Sequence, residues 1–413
     1  MFFYKHNNNY LFSLEEYNNL KNITEEEVKN HKGIIYFLGK LDPYKSRRSF
    51  SISDPSLLFL EREDINLLRK NSINENLPNW ILNKIDDREI TFINTNYPNW
   101  ENALPFDKPK KWNINLIGIG DVGSTLLMGL RLTGYDLIDK IGIYSRNENK
   151  IKRWEYELNQ VLPPFTDREY PEVIGISKDN LFDCDMFVFC ASKGVPKVGS
   201  NVKDVRMIQF ENNSNIIREY AKLARDNSFK GIFAVVSDPV DLLSKVALLE
   251  SNKDESGTLD LNGLAPEQIR GYGLGVMNAR ASYYAKKDNK TCHYLKEGRA
   301  FGPHGEGLII ADSITNYNEE LSSYLTKSAK EANLAVRDTG YKPYIAPALS
   351  SGALSIIDTI KGKWNYSATY MGGIFMGAKN RLNNSGIEIE RLALPDVLFN
   401  KIENTYKRLG EII

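Results

Sequence analysis

At 413 residues the chain has the length for two or three domains, with a core that needs no disulfide or metal staple. Its 53 basic side chains balance 53 acidic ones, which disfavours a dedicated nucleic-acid binder, since such proteins need a basic excess to release counterions. Three cysteines (Cys184, Cys190, Cys292) at no metal-ligand spacing read as free thiols in a reducing compartment, and no metal site is expected. With no apolar run of ~18 residues and no leader pattern near Met1, a cytoplasmic protein without membrane attachment is expected.

In chain order, residues 13–29 read as a charged helix, with Ser13 and Glu16 spaced as a capping box, and residues 33–38 as a strand. Residues 1–107 are therefore expected to form a small α+β accessory domain of unknown role. The Pro- and Lys-rich stretch 104–111 predicts a linker, because closely spaced prolines bar regular structure. After it the texture becomes strand (113–117), glycine turn (118–123), apolar helix (124–133) and strand (140–144), which is a βαβ unit. Apolar runs at 186–190 and 231–236, with a helical stretch at 213–225 between them, extend the alternation into a doubly wound parallel sheet over 108–272. Residues 273–413 mix helical stretches (307–336, 345–361) with strands around 366–379. They close on a helix opened by Pro395 with Leu398, Ile402 and Leu409 at helical spacing, so an α+β domain is predicted.

The turn Gly118-Ile-Gly-Asp-Val-Gly123 sits where a dinucleotide fingerprint belongs, after a strand and opening a helix. Gly118 permits the tight turn, Gly120 lets the backbone approach a pyrophosphate, and Gly123 permits close helix–strand packing. Asp121 and Val122 begin the helix whose positive N-terminus faces the phosphates. About 20 residues on, where the fingerprint expects an acid for the adenosine ribose, stand Ser145 and Arg146. Without a carboxylate to repel a 2′-phosphate and with a guanidinium to bind it, NADP is favoured as cofactor, with NAD as the alternative.

Downstream, Val205-Arg-Met-Ile-Gln-Phe-Glu-Asn-Asn213, Val236-Ser-Asp-Pro-Val-Asp241, Gly271-Tyr-Gly-Leu-Gly-Val-Met-Asn-Ala-Arg280 and Phe301-Gly-Pro-His-Gly-Glu306 follow in order. Together with the glycine turn they resemble the L-lactate/malate dehydrogenase family from about residue 113 onward. The fold so implied is a Rossmann-type sheet followed by a catalytic domain, in a homo-oligomer, dimer or tetramer. The chemistry so implied is hydride transfer between nicotinamide and a 2-oxo or 2-hydroxy acid. His304 would be the acid/base, Arg280 the bidentate grip on the substrate carboxylate, and Arg206 the cation that polarises the carbonyl, carried in by a lid over 193–204. The chemistry of the side chains agrees, since only histidine titrates near neutrality unperturbed, and of the four histidines only His304 stands in a Gly-x-His-Gly turn. Val195 and Pro196 are apolar, which favours a small monocarboxylic acid, unless Lys193 or Lys197 holds a second carboxylate. Residues 348–351 are expected to help read the substrate.

Two positions depart from the resemblance. Where the family carries an aspartate three residues before the carboxylate-binding arginine, this chain has Met277. Where it carries an asparagine before Pro-Val, this chain has Asp238. Asp238 either supplies the counter-charge that Met277 cannot or, as an acceptor-only group, favours an amino or imino acid analogue. A nucleotide-binding protein that has lost its chemistry is the remaining reading.

Overall fold

The computed structural model describes residues 1–71, 76–104, 108–193 and 205–413, excepting the side chains of 205–208. The chain opens with β1 (Phe2–His6), β2 (Asn9–Ser13), β3 (Lys21–Asn22), α1 (Glu25–Lys29), β4 (Ile35–Gly39), β5 (Ser49–Ser51), α2 (Asn79–Asp86) and β6 (Ile90–Asn94). These strands form one six-stranded sheet in the order β3-β1-β2-β4-β6-β5, parallel across β2, β4 and β6. The predicted helix over 13–29 is mostly strand and loop. Ser13 ends β2, its hydroxyl donating to Leu38 O at 3.1 Å and accepting from Glu15 N. The capping box lies further on, at Thr24 and Glu27, where a hydroxyl meets the start of an actual helical turn. Residues 105–107, inside the predicted linker, lie outside the described residues.

The second part builds β7 (Trp112–Ile117), α3 (Asp121–Thr133), β8 (Ile138–Tyr144), α4 (Glu148–Asn159), β9 (Glu172–Gly175), β10 (Met186–Phe189), α5 (Val205–Asp226), β11 (Ile232–Val235), α6 (Val240–Ser251) and β12 (Ile269–Gly271). Its strands run parallel in the order β12-β11-β10-β7-β8-β9, the doubly wound arrangement predicted. Buried on both faces, β10 reads Met-Phe-Val-Phe without polar alternation.

The remainder adds α7 (Leu274–Ala285), α8 (Tyr294–Glu297), β13 (Arg299–Phe301), β14 (Ile309–Ala311), α9 (Glu319–Asp338), a wide-turn π helix (Pro347–Ala353), α10 (Leu354–Ile360), β15 (Asn365–Met371), β16 (Ile374–Asn383), β17 (Gly386–Ile389) and α11 (Asp396–Gly410). The predicted helix over 307–336 begins only at Glu319. Left-handed glycines at 302, 305 and 307 break the chain first, and the Asn318 side chain caps the helix by accepting from Leu321 N. The helix opened by Pro395 is present, with Leu398, Ile402 and Leu409 buried.

Two tertiary features were not legible. β15 pairs antiparallel with β12, so the last three long strands continue the nucleotide-binding sheet into nine strands and cover what would be its open edge. The N-terminal sheet in turn shares a hydrophobic core with the end of the chain. Phe37, Phe50, Phe92, Phe301, Met371, Met376 and Leu398 belong to one buried cluster. Polar contacts reinforce the joint, with Arg48 and Ser49 on Glu267, Arg88 on Glu388 and Ser51 on Ser385. Among the described residues no helix is long and apolar enough to cross a membrane.

Candidate active site

The glycine turn has the geometry its sequence requires. Gly118 follows β7 with φ of +82°, and a Cβ there would stand 2.3 Å from Ala191 N. A Cβ on Gly123 would stand 2.2 Å from Gly118 O, so only glycine lets α3 start so close to the strand. At Gly120, by contrast, a Cβ meets nothing within 4 Å. Its selection is therefore not explained by packing within the chain, and the open cradle before the N-terminus of α3 fits a pyrophosphate. Asp121 is the first residue of α3, and Val122 packs partly buried against the core below the sheet. At the tip of β8 the Ser145 hydroxyl accepts from Asn147 N at 3.2 Å, and Arg146 is exposed. The adenosine end of the cradle thus lacks the acidic side chain that the fingerprint usually places there.

The second cluster assembles from three turns. β11 ends at Val235, and the following segment is pinned by Ser237 Oγ donating to Ala191 O at 2.7 Å. That fixes Asp238, whose Oδ1 lies 3.0 Å from His304 Nδ1, although the two residues are 66 positions apart. His304 sits in the glycine-broken turn between β13 and β14. Gly302 N donates to Gly377 O, and Thr405 on α11 donates to Gly307 O, so both ends of the turn are tied down. Gly273 approaches from the other side, where a Cβ would come within 3.2 Å of His304 Cβ. Its lack of a side chain makes room for the imidazole.

Arg280 lies on α7, one turn after Met277, which is buried with its sulfur 3.6 Å from the Arg280 guanidinium. Burial lowers the Arg280 pKa from its usual value, and the nearby Asp238 carboxylate opposes that shift. A guanidinium with little water around it gains more from a carboxylate partner than an exposed one does. His304, Asp238 and Arg280 therefore share one neighbourhood. Arg206 lies in the first turn of α5, its side chain among those not described, and the lid residues 194–204 fall outside the described residues.

Asn213 was part of a motif in the sequence but carried no role there. It is fully buried on α5, two helical turns after Arg206. Its amide donates to Asp238 O at 2.7 Å and accepts from Lys193 N at 3.1 Å, bridging the start of the lid segment to the segment that carries the carboxylate. Ser351, in the stretch expected to help read the substrate, braces α7. Its hydroxyl donates to Gly273 O and accepts from Val276 N.

Comparison with known proteins falls on the same segments. Residues 112–258 match the family model described as lactate/malate dehydrogenase, NAD binding domain. Over those residues the chain is similar to the NAD-binding domain of the lactate/malate dehydrogenases. This dehydrogenase-like chain is 26% identical over 250 residues to an L-lactate dehydrogenase of Staphylococcus haemolyticus, covering 59% of itself and 72% of that protein. It is 22% identical over 330 residues to L-lactate dehydrogenase 2 of Staphylococcus aureus, covering 72% of itself and 97% of that protein. Among solved structures it resembles malate dehydrogenase from Archaeoglobus fulgidus in complex with NADH, with a TM-score of 0.58 and 19% identity, over 72% of this chain and 97% of that one. The shared fold thus spans nearly all of that structure but only 72% of this chain, which is longer than the relatives it matches.

Proposed function

We propose that the protein is a nicotinamide-dependent oxidoreductase that interconverts a 2-oxo and a 2-hydroxy monocarboxylic acid, with Asp238 in the place of the counter-ion that Met277 does not supply. The observation that carries this reading is the 3.0 Å contact between His304 Nδ1 and Asp238 Oδ1. With Nδ1–H donating to the carboxylate, Nε2 is the nitrogen left to exchange a proton with the substrate oxygen. Arg280 grips the substrate carboxylate as a fork, and Arg206, delivered by the start of α5, polarises the carbonyl. Gly118, Gly120 and Gly123, with the backbone of Asp121 and Val122, hold the dinucleotide at the head of α3, and Ser145 and Arg146 hold its adenosine end. The dinucleotide supplies the hydride. Because the amide donor usual before Pro-Val is absent, polarisation of the carbonyl falls on Arg206 and His304 alone.

At the adenosine end, Ser145 and Arg146 favour the 2′-phosphate of NADP over the bare ribose of NAD, the family's usual cofactor. The double variant S145D/R146A is expected to shift the ratio of kcat/KM values toward NADH, and an unchanged ratio rejects the preference. Exposed Met128 and Leu132 on α3 and Leu354 on α10 suit association with a second copy of the chain, which light scattering of the purified protein tests through its mass. A cytoplasmic location fits the three free thiols, and a secreted pool in fractionated cells would argue against it.

The reading is tested by following nicotinamide absorbance with NADH and NADPH over a panel of 2-oxo monocarboxylic acids, each with and without ammonium. Oxidation by the oxo acid alone is expected. Oxidation only with ammonium would transfer the role of Asp238 to binding a protonated nitrogen, and silence throughout, with cofactor still bound, would leave a nucleotide-binding protein without turnover.

A further inference from the structure

The Asp121 carboxylate stands at the first position of α3, inside the glycine turn, where a pyrophosphate would approach. A negative charge there interacts favourably with the free helix N-terminus, yet it opposes an incoming diphosphate. It does not stand alone. Lys342 Nζ lies 3.0 Å from Asp121 Oδ2, reaching across from the loop between α9 and the π helix. Both side chains are exposed, 52% for Asp121 and 82% for Lys342, so the pair is accessible to a ligand and easily exchanged. The loop is anchored close to α3. A Cβ on Gly129 would stand 2.6 Å from Ala353 Cβ, and one on Gly352 would stand 2.5 Å from Leu126, so glycines on both helices let the π helix pack tightly on α3 and bring residue 342 to its head. Gly340, left-handed at φ of +86°, turns the chain out of α9 toward it.

We propose that Lys342 is a dinucleotide-binding residue, whose ammonium is held over the glycine turn by Asp121 in the free protein and passes to the pyrophosphate when the dinucleotide binds. This rests on the nicotinamide-dependent reading above and adds to it a cation that no part of the glycine fingerprint supplies. Asp121 is then a built-in competitor. It stores the lysine at the site and weakens the dinucleotide by its own repulsion, so the two side chains have opposite effects on the same affinity.

The test is calorimetric titration of the full chain with NADH and NADPH, at two ionic strengths, for Lys342→Ala, Asp121→Asn and the double variant. Lys342→Ala is expected to weaken binding roughly five- to tenfold at low salt, with the loss shrinking as salt rises. Asp121→Asn is expected to tighten it, and the double variant to return close to the wild-type affinity. Affinity unchanged in Lys342→Ala, or weakened by Asp121→Asn, overturns the assignment. A wild-type chain that binds neither dinucleotide overturns the nicotinamide-dependent reading itself and the assignment with it. Both positions are exposed, and unchanged melting temperatures exclude misfolding as the source of any loss.

Discussion

The glycine turn at the head of α3 and the histidine turn between β13 and β14 are both loops that leave a strand, but they are specified in different ways. The first is local. Three glycines within six residues fix its path, and the groups offered to a ligand are mainly backbone N–H groups, which every sequence has. The second is assembled at long range. His304 obtains its partner from a segment 66 residues earlier, its space from Gly273 and its anchors from Gly377 and Thr405. A backbone site can be conserved by retaining glycines, whereas a side-chain site can keep its chemistry while a charge moves to a different segment. Under the proposed function Met277 and Asp238 are that case, with no carboxylate at position 277 and that of Asp238 lying 3.0 Å from His304 Nδ1.

Breaking the long-range site has the largest expected effect. His304→Asn should lower kcat by about a thousandfold, the scale of general acid–base catalysis, with dinucleotide affinity retained. Asp238→Asn should lower kcat by a smaller factor of order a hundred, because a neutral amide holds the Nδ1–H less strongly than a carboxylate does. Adding Met277→Asp to Asp238→Asn recreates the family's arrangement. Recovery of part of kcat would show that the charge matters and its segment does not, while no recovery would mean that α7 no longer reaches the imidazole.

The local site separates by position. Gly123→Ala must displace Gly118 O and should lower both the melting temperature and dinucleotide affinity, the latter about tenfold or more. Gly120→Ala meets open space and should leave the melting temperature unchanged while still weakening the dinucleotide. Equal behaviour of the two variants in both assays would mean that no phosphate sits at Gly120.

Smaller effects mark the core that the two sites share. Burial pushes the Cys184 and Cys190 thiols up to about 12, and Cys292 is exposed. At pH 8 a disulfide reagent should therefore titrate one thiol quickly in the native protein and the other two only on unfolding. Two fast thiols would place Cys184 or Cys190 in a more open environment than the fold gives it. Burial, with Arg270 and Arg381 nearby, lowers the Lys108 pKa to about 8. Between that value and about 10.4 the unfolded chain holds a proton that the folded one has released, so stability contributed by this group should rise with pH across that window. Lys108→Met should flatten the rise by a few degrees in melting temperature at most, and an identical slope in both proteins would rule out the shift.

Much of this molecule was determined by its sequence alone. The βαβ unit, the glycine turn, the alternation toward a doubly wound sheet and the helix after Pro395 follow from periodicity, glycine and proline, which act within a few residues. The candidacy of His304, Arg280, Arg206 and Asp238 was legible from motif order. Where local signals competed, the sequence misled. Ser13 and Glu16 have capping-box spacing, but β2 pairs in parallel with β4 and takes Ser13 into a strand, while the apolar rhythm of 307–336 was interrupted by left-handed glycines. Only the tertiary structure decided that the N-terminal sheet shares a core with Phe301 and α11, that β15 closes the edge at β12, and that Asn213 ties the Lys193 segment to Asp238. It also brought the Asp238 carboxylate to within 3.0 Å of the His304 imidazole. Each of these depends on contacts between residues tens to hundreds of positions apart, and the free energy of such contacts comes from burial and pairing in three dimensions, which residue spacing along the chain does not encode.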